Sequence, residues 1–404
     1  MHQRFHNMKN FTPPKRVLYI LSQPHQPFFA IGVFSAIIFM LLFALSYKGI
    51  LSINPLILHG YSMIFMVFTN FFYGFTLTTF PRFSMRPAIE PKRYLRVLLL
   101  NILALVTFVA SFWIDILFVA TNIVVALSFA YILKIFYEIY LQANEPKSDQ
   151  YMIIVAFGMG ALSNILYLLG SIPCNNCKSD IFIHYGAMVG VYLYLILLSS
   201  VIAFRMIPFF SNSIRYQKSS WFHKSIAILL ILHIVLDTIL PKWIWLPDLI
   251  LSIVFTYEIA KMNLPFPNPN PLLWGLHIAI FWLPLGFLTG SAVEFFEAFY
   301  GYQSLQMPIH LLVVGFLTSV LIAFGTRVTL GHSGAGLQLT KAGKYLFVFV
   351  QIVVLFRVIL SLNYSISSNI GWIFDTTILL WIVLFVAWSI MYGKILLFGL
   401  KDER

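Results

Sequence analysis

Three histidines of this chain fall within apolar runs that predict membrane-spanning helices. His59 lies in the run Asn54-Pro-Leu-Ile-Leu-His59-Gly-Tyr-Ser-Met63, and His184 and His310 occupy similar positions in two other runs. Polar side chains that can bind metals are costly inside a bilayer, so three of them at one depth suggest a function. Two imidazoles on facing helices can hold a haem iron, and further imidazoles can bind copper. The pattern predicts a haem or metal centre near one face of a membrane protein.

The depth of the three histidines is the reason for treating them together. Each lies in the first turns of a predicted span that runs inward, roughly 5–10 Å below the outer boundary at about 1.5 Å per residue. Taken singly, each is also typical of a histidine at a helix end that hydrogen-bonds to backbone or water. The sequence does not show whether the three side chains face one another.

An arginine within a predicted span suggests an anionic partner. Arg357 lies in the outer third of the eleventh span, where its charge is poorly solvated. A haem propionate would suit it, because a guanidinium binds a carboxylate in a bidentate way. Asp375, at similar depth at the start of the twelfth span, is an equally good partner. The sequence leaves both partners open.

Two acidic residues also lie within predicted spans. Asp237 is close in sequence to Lys242, and Glu258 is close to Lys261. We expect each acid to pair with its neighbouring lysine, with a place in a proton path as the alternative.

The two cysteines form the motif Cys174-Asn-Asn-Cys177 in a predicted outer loop. Outside the cytoplasm such a pair can close a disulfide or bind a soft metal such as copper, and two free thiols are a third alternative. Lys178 follows the second cysteine, so the motif is not the CxxCH of covalent haem attachment. Because His184 begins the next predicted span, Cys174 and Cys177 are candidate metal ligands.

The elements that must position these residues are transmembrane helices. Hydrophobic residues make up 60% of the 404 and charged residues 10%, whereas a soluble domain has about 25% charged residues. Apolar runs long enough to cross a bilayer alternate with short polar loops. We predict an all-α integral membrane protein with about twelve spans, at 28–47, 56–80, 95–114, 116–138, 151–172, 183–207, 224–241, 245–262, 271–292, 305–326, 344–362 and 371–395.

The positive charges predict the orientation of these spans. With both termini cytoplasmic, every Lys and Arg falls on the cytoplasmic side except Lys48, Lys178, Lys242 and the intramembrane Arg357. This agrees with the positive-inside rule and with an even number of spans. The net charge of +12 therefore reflects topology, and dispersed basic residues without a motif exclude a nucleic-acid partner. We expect a multi-pass protein of a bacterial inner membrane, in contact with its lipid bilayer.

The chain is predicted to form one polytopic domain, 1–404. A stiff Pro-rich connector at 263–271 suggests halves of 1–262 and 271–404. There is no Walker loop, nucleophile elbow or HExxH motif. The Gly-rich stretch Gly331–Gly336 lacks the strand–turn–helix setting of a dinucleotide site, so we expect a cytoplasmic turn held by Arg327.

Four stretches of this chain resemble the NnrS family, polytopic membrane proteins associated with the nitric oxide response. The start of the first span is similar to the family pattern at His25, and the sixth span carries an Arg-x-Ile-Pro-Phe-Phe signature with Arg205 and Pro208. The full set is Pro24-His25-Gln-Pro-Phe-Phe29, Phe204-Arg205-Met-Ile-Pro208-Phe-Phe210, Pro271-Leu-Leu-Trp-Gly-Leu-His277 with Trp282-Leu-Pro-Leu-Gly286, and His310–Gly315 through Thr326-Arg327-Val-Thr-Leu-Gly331-His332-Ser-Gly334.

The resemblance implies a membrane protein that binds haem b, with copper as a second candidate metal, and that lessens nitrosative stress. Nitric oxide or a related small molecule is then its partner. One departure affects the expected site: the family pattern His-x-His-Glu-Met in the second span reads His59-Gly-Tyr61-Ser62-Met63 here. Only the first of these metal-binding positions is retained. A copper ion that needs the other two is expected to bind weakly or not at all.

The sequence leaves several functions open. An enzyme that reduces nitric oxide would need an electron donor, so sensing the gas and protecting iron sites are alternatives to catalysis. Twelve spans with intramembrane charges also suit a secondary transporter, whose binding site lies near the midplane at broken helices. A haem-bearing respiratory subunit is the third alternative. The oligomeric state is not specified.

Overall fold

The computed structural model describes residues 19–144, 147–172, 179–213, 215–334, 336–364, 366 and 370–399. Every regular element within these ranges is helical, and twelve helices are long and apolar enough to cross a membrane. The predicted all-α architecture is confirmed, and the number of helices that are long and apolar enough to span a membrane agrees with the predicted twelve. We name the helices α1 to α12 in chain order: His25–Tyr47, Pro55–Phe83, Pro91–Ala110, Ile116–Leu141, Ser148–Ser171, Ser179–Phe210, Phe222–Ile239, Pro241–Met262, Pro271–Tyr300, Met307–His332, Lys341–Tyr364 and Gly371–Phe398.

Short connections between consecutive helices make neighbouring helices antiparallel. Twelve alternating helices therefore bring the start of α1 and the end of α12 to one end of the bundle, which we call the terminal end. The opposite end, where α1 ends and α2 begins, is the distal end. The predicted orientation places the terminal end in the cytoplasm.

Three helices form the centre of the bundle. The most apolar 18-residue stretches of α2, α6 and α10 are 100%, 94% and 78% buried, whereas no other span exceeds 50%. Helix α6 contacts both α2 and α10. The remaining nine helices surround this trio and expose apolar side chains, as expected of a lipid-facing ring.

Each central helix contains a π-helical segment shortly after its distal start or within its middle. The segments are Ser62–Phe68 in α2, Val189–Ile196 in α6 and Leu311–Thr318 in α10. Single π turns inside α-helices are rare and are found frequently at functional sites. Their recurrence every four spans indicates a regular organisation of the chain in groups of four helices.

Small residues let the central helices approach closely. A Cβ on Gly190 of α6 would lie 2.7 Å from Ser163 Oγ and 2.9 Å from Ile64 Cδ1 of α2. A Cβ on Gly315 of α10 would lie 2.8 Å from the Trp282 ring. Only glycine fits at these two contacts without displacing a neighbour.

The terminal end of α10 extends further than the sequence predicted. Gly331 and His332 belong to the last turn of this helix, and the predicted loop 327–343 begins only after them. The helix continues because nothing before Gly334, whose φ of +79° is left-handed, interrupts it.

Candidate cofactor site

The two histidines nearest the bundle centre occupy equivalent places on α2 and α10. Helix α2 begins at Pro55, and the Asn54 side chain caps it by accepting hydrogen bonds from two backbone amides, 3.0 and 3.2 Å away. His59 lies in the first turns of α2, and His310 lies in the first turn of α10. In both helices the π segment follows the histidine within three residues.

His59 and His310 face each other across the centre of the distal end. Their ring centres are 6.1 Å apart and their ring planes differ by 8°. Two iron–imidazole bonds of about 2.0 Å, with about 1.1 Å from each nitrogen to its ring centre, would place two coaxial rings about 6.2 Å apart. The spacing of the two ring centres is therefore the one expected of two imidazoles that share one metal ion.

Phe43 of α1 holds the His59 ring in place by stacking on it, with ring centres 4.3 Å apart and an angle of 27°. His59 Nδ1 is buried and makes no hydrogen bond within the described part of the chain. A buried polar atom without a partner is uncommon, and a role in binding an ion is one accepted explanation.

His310 Nδ1 has two neighbours that favour opposite protonation states. It lies 2.8 Å from the Gln306 carbonyl oxygen and 2.9 Å from Arg357 Nη2. When Nδ1 carries the proton it donates to Gln306, which leaves Nε2 as a free ligand. A hydrogen bond from one ring nitrogen to a backbone carbonyl is the usual way of orienting a metal-binding histidine.

The backbone before α10 is shaped to make these contacts. Leu305 and Gln306 have positive φ values of 51° and 57°, which non-glycine residues adopt only at a cost in energy. The resulting bend turns the Leu305 carbonyl toward Arg357 and the Gln306 carbonyl toward His310. Strain of this kind tends to accumulate at functional sites.

Arg357 is a buried cation without an anionic partner among the residues that the structure describes. It is 8% exposed. Its guanidinium donates to the Leu305 carbonyl at 2.6 Å and to the Ser361 hydroxyl, besides contacting His310. The alternative prediction, an ion pair between Arg357 and Asp375, is wrong. Asp375 instead pairs with Lys48 of the α1–α2 connection, at 2.7 Å. Arg357 thus remains available to an anion beside His310.

The space next to His310 and Arg357, lined chiefly by Met307, Leu311 and Val354, is too closed to admit a water-sized sphere. Cofactor pockets usually measure about 300–1,000 Å³. The ligand pair fits a haem iron, whereas a macrocycle requires the lining side chains to move apart. Met307 is well suited to such movement because its side chain is unbranched.

His184, the third histidine of the predicted layer, faces a different neighbour. Its Nε2 lies 2.5 Å from Asp237 Oδ2 of α7, and its side chain is 49% exposed. The expected Asp237–Lys242 pair is therefore replaced by an Asp237–His184 pair, whereas Glu258 does contact Lys261, at 3.2 Å. The structure brings together His59, His310 and Arg357, and it leaves His184 at the bundle surface.

A comparison with protein-family models completes these observations. The NnrS protein model matches residues 19–398, nearly the whole chain. The chain belongs to the NnrS family. Membership indicates a membrane protein of the nitric oxide response. A comparison with curated proteins finds no match.

The position at which this NnrS protein departs from the family pattern faces away from the histidine pair. Tyr61 is fully buried, and its hydroxyl donates to Asn164 Oδ1 of α5 at 3.2 Å. Its ring packs against Phe108, Phe118 and Tyr167. Two residues along a helix are separated by about 200°, so His59 and Tyr61 contact different helices. Cys174 and Cys177 lie outside the described residues.

Two family-motif histidines of this NnrS protein meet at the terminal end. The ring centres of His25 and His332 are 4.7 Å apart, and both residues have a buried nitrogen without a hydrogen-bond partner in the described ranges. Arg327, one turn and a half before His332, lies 3.9 Å above the Phe210 ring. Arg327 therefore contacts α6, whereas the sequence predicted that it would stabilise a cytoplasmic turn.

The remaining family-motif residues are structural contacts between helices. Arg205 of α6 donates to Asp149 of α5 at 2.7 Å and to the Phe83 carbonyl at 3.2 Å. Pro208 lies inside the last turns of α6. His277 Nε2 of α9 contacts the Ser211 hydroxyl at 2.7 Å. Asp149 is the acceptor that the sequence prediction did not include.

Proposed function

We propose that this NnrS protein binds haem b between His59 and His310 and thereby protects its cell against nitric oxide. The observation that carries the proposal is the histidine pair, 6.1 Å apart with near-parallel rings, beside a buried arginine. Together these two features match a metal bound to an anionic macrocycle. Membership of a nitric-oxide-response family supports the same conclusion.

The buried charge of Arg357 also supports the binding of an anionic cofactor. A guanidinium that is 8% exposed and has no carboxylate partner in the described part of the chain is unfavourable unless an anion binds it. A haem propionate is such an anion, and Arg357 can reach it while His310 binds iron. The residue therefore orients the group as well as neutralising its charge.

Bound haem would supply one-electron chemistry, and His59 and His310 would hold its iron. The protein's own contribution is to hold the rings apart, to keep a proton on His310 Nδ1 through Gln306, and to exclude water. Phe43 and the apolar residues of α2 and α10 provide the dry surroundings.

An apolar space in the bundle centre suits a small apolar gas. Its cavity volume is about 30 Å³, and it lies between α1, α2, α6 and α10, lined by Phe29, Phe71, Phe72, Phe75 and Phe324 with six other residues. Nitric oxide concentrates in lipid and needs no polar channel. We propose this space as its reservoir within the protein.

The first prediction is that protein purified from haem-replete cells is coloured. We expect a Soret band and one equivalent of iron that is extracted as haem b, because the ligand pair is complete in a single chain. The measurement is an optical spectrum with iron analysis. A colourless, iron-free preparation would exclude the proposal and favour the transporter alternative.

The second prediction concerns copper. Because Tyr61 and Ser62 stand where the family pattern has His and Glu, we expect less than 0.1 equivalent of copper in the wild-type protein while haem is retained, as an order of magnitude for the loss of two ligands. Copper analysis of Tyr61→His/Ser62→Glu should then show a gain, with Tyr61→Phe/Ser62→Ala as the matched control. Full occupancy in the wild type would contradict this and direct attention to Cys174 and Cys177.

A further inference from the structure

A second group of metal-capable side chains lies between α7, α8 and α9. One ligand atom from each of His233, Asp248 and Glu294 lies within 4.8 Å of the other two. These residues are 1%, 0% and 6% exposed. None of them belongs to the His59–His310 site, and the family signatures do not include them.

The three residues share one depth in the bundle. His233 and Glu294 each lie six residues before the distal end of their helix, and Asp248 lies seven residues after the distal start of α8. At 1.5 Å per residue this is about 9–10 Å from the distal end. Three separate helices thus present donors to one point inside the apolar bundle.

Each side chain has an atom that the fold leaves without a hydrogen bond. Within the described ranges, His233 Nε2, Asp248 Oδ2 and Glu294 Oε2 are buried and have no partner. His233 Nδ1 lies 2.7 Å from Asp248 Oδ1, within hydrogen-bond distance. Two buried carboxyl groups side by side repel each other when ionised, and a cation would remove that cost.

The surroundings hold these donors in place. The Tyr192 ring, in the π segment of α6, packs on His233 with ring centres 4.2 Å apart. Gly290, one turn before Glu294, lies beside Asp248: a Cβ there would be at ordinary van der Waals distance, 3.6 Å, from Asp248 Oδ2. Helices α8 and α9 are joined next to the cluster by a hydrogen bond from the Ser291 hydroxyl to the Trp245 carbonyl, at 2.8 Å.

A partly exposed carboxylate lies between the bundle surface and this cluster. Asp237 lies one turn beyond His233 on α7, and its side chain is 25% exposed where it contacts His184. A carboxylate between bulk water and a buried site can attract a cation and pass it inward.

We propose that His233, Asp248 and Glu294 bind one divalent first-row transition-metal ion, separate from the haem iron. One imidazole and two carboxylates form a donor set that suits Mn²⁺, Fe²⁺ or Zn²⁺ better than Cu⁺, which prefers sulfur. Donors on one such ion, with bonds of about 2.1 Å, lie about 3–4.3 Å apart, so closing the cluster requires only small shifts.

The test is a titration of the detergent-purified, chelator-treated full-length protein with Mn²⁺, in which electron paramagnetic resonance counts the free ion. We expect one equivalent to bind, Zn²⁺ to compete for it, and the thermal unfolding temperature of the wild type to rise when the ion is present. The isosteric variants Asp248→Asn and Glu294→Gln should bind Mn²⁺ at least tenfold more weakly. Glu138→Gln, at a surface pair with Arg93, is the matched control.

Three outcomes would overturn the proposal: no uptake of Mn²⁺ or Zn²⁺ above one-tenth equivalent, unchanged affinity in both variants, or an equal loss in the Glu138→Gln control. The stabilisation of the wild type by the ion needs no variant, so a poorly folding variant does not remove the test. Haem content measured in the same preparations separates this site from the proposed function, because loss of the ion should leave the Soret band unchanged.

Discussion

His310→Ala is expected to lower the haem content of the purified protein at least tenfold, and His59→Ala should have a similar effect. Each variant removes one of the two imidazoles that face each other at 6.1 Å, and a haem held by a single protein ligand is easily lost during purification. The measurement is the ratio of Soret to protein absorbance with iron analysis. Both variants should still insert, because the lost side chains contribute little to the packing of α2 and α10.

His184→Ala is the matched control for this experiment. The residue is also a histidine near the distal end, but it is half exposed and paired with Asp237. We expect its haem content to equal that of the wild type. If both His59→Ala and His310→Ala retained full haem and an unchanged spectrum, the ligands would have to lie elsewhere, with His25 and His332 the next pair to examine.

The same variants also test the protective role. Cells that lack this protein and receive the wild-type chain should grow better under a nitric oxide donor than cells that receive His310→Ala at equal expression. Equal growth of the two would separate haem binding from protection.

The twelve spans could be predicted from composition because the cost of burying polar groups in a bilayer dominates every other local preference. The predicted spans agree with the helices, although several helices extend beyond them, as α9 does to Tyr300. These extensions protrude past the apolar stretch, where hydropathy no longer reports on helix formation. The final turn of α10, with His332, is such a case.

The direction of a side chain around its helix was harder to predict than its depth. His59, His184 and His310 all lie near the distal end, yet only two of them meet. Which face of a helix is turned inward depends on the packing of its neighbours, and α6 turns His184 outward toward α7. A central helix whose whole surface is buried gives no amphipathic pattern from which this rotation could be inferred.

Ion pairs between helices that are distant in the sequence could not be predicted either. Neighbours in the chain suggested Lys242 for Asp237, and similar depth suggested Asp375 for Arg357. The observed pairs are His184–Asp237 and Lys48–Asp375. Only the Glu258–Lys261 pair, three residues apart on one helix, followed from local spacing.

Asp149 shows most clearly how a central residue escaped prediction. It lies near the start of α5, and its carboxylate accepts hydrogen bonds from Arg205 of α6 at 2.7 Å, from His223 of α7 at 2.7 Å, and from Lys218 of the connection between them. Four elements therefore meet at one carboxylate that is 10% exposed. In the sequence it is one acid beside a polar loop.

Asp149→Asn is expected to destabilise the protein by about 3 kcal/mol, because breaking a buried ion pair leaves its partners charged and uncompensated. Burial lowers the pKa of Lys218, and the Asp149 carboxylate opposes that fall, so the variant should lower the pKa further and make a charged Lys218 still less favourable. The measurement is unfolding in mixed micelles with increasing denaturing detergent. Asp375→Asn removes an equal charge from a pair that is about half exposed and should cost less than about 1 kcal/mol. Equal stability of the two variants would show that the Asp149 cluster does not join α5, α6 and α7.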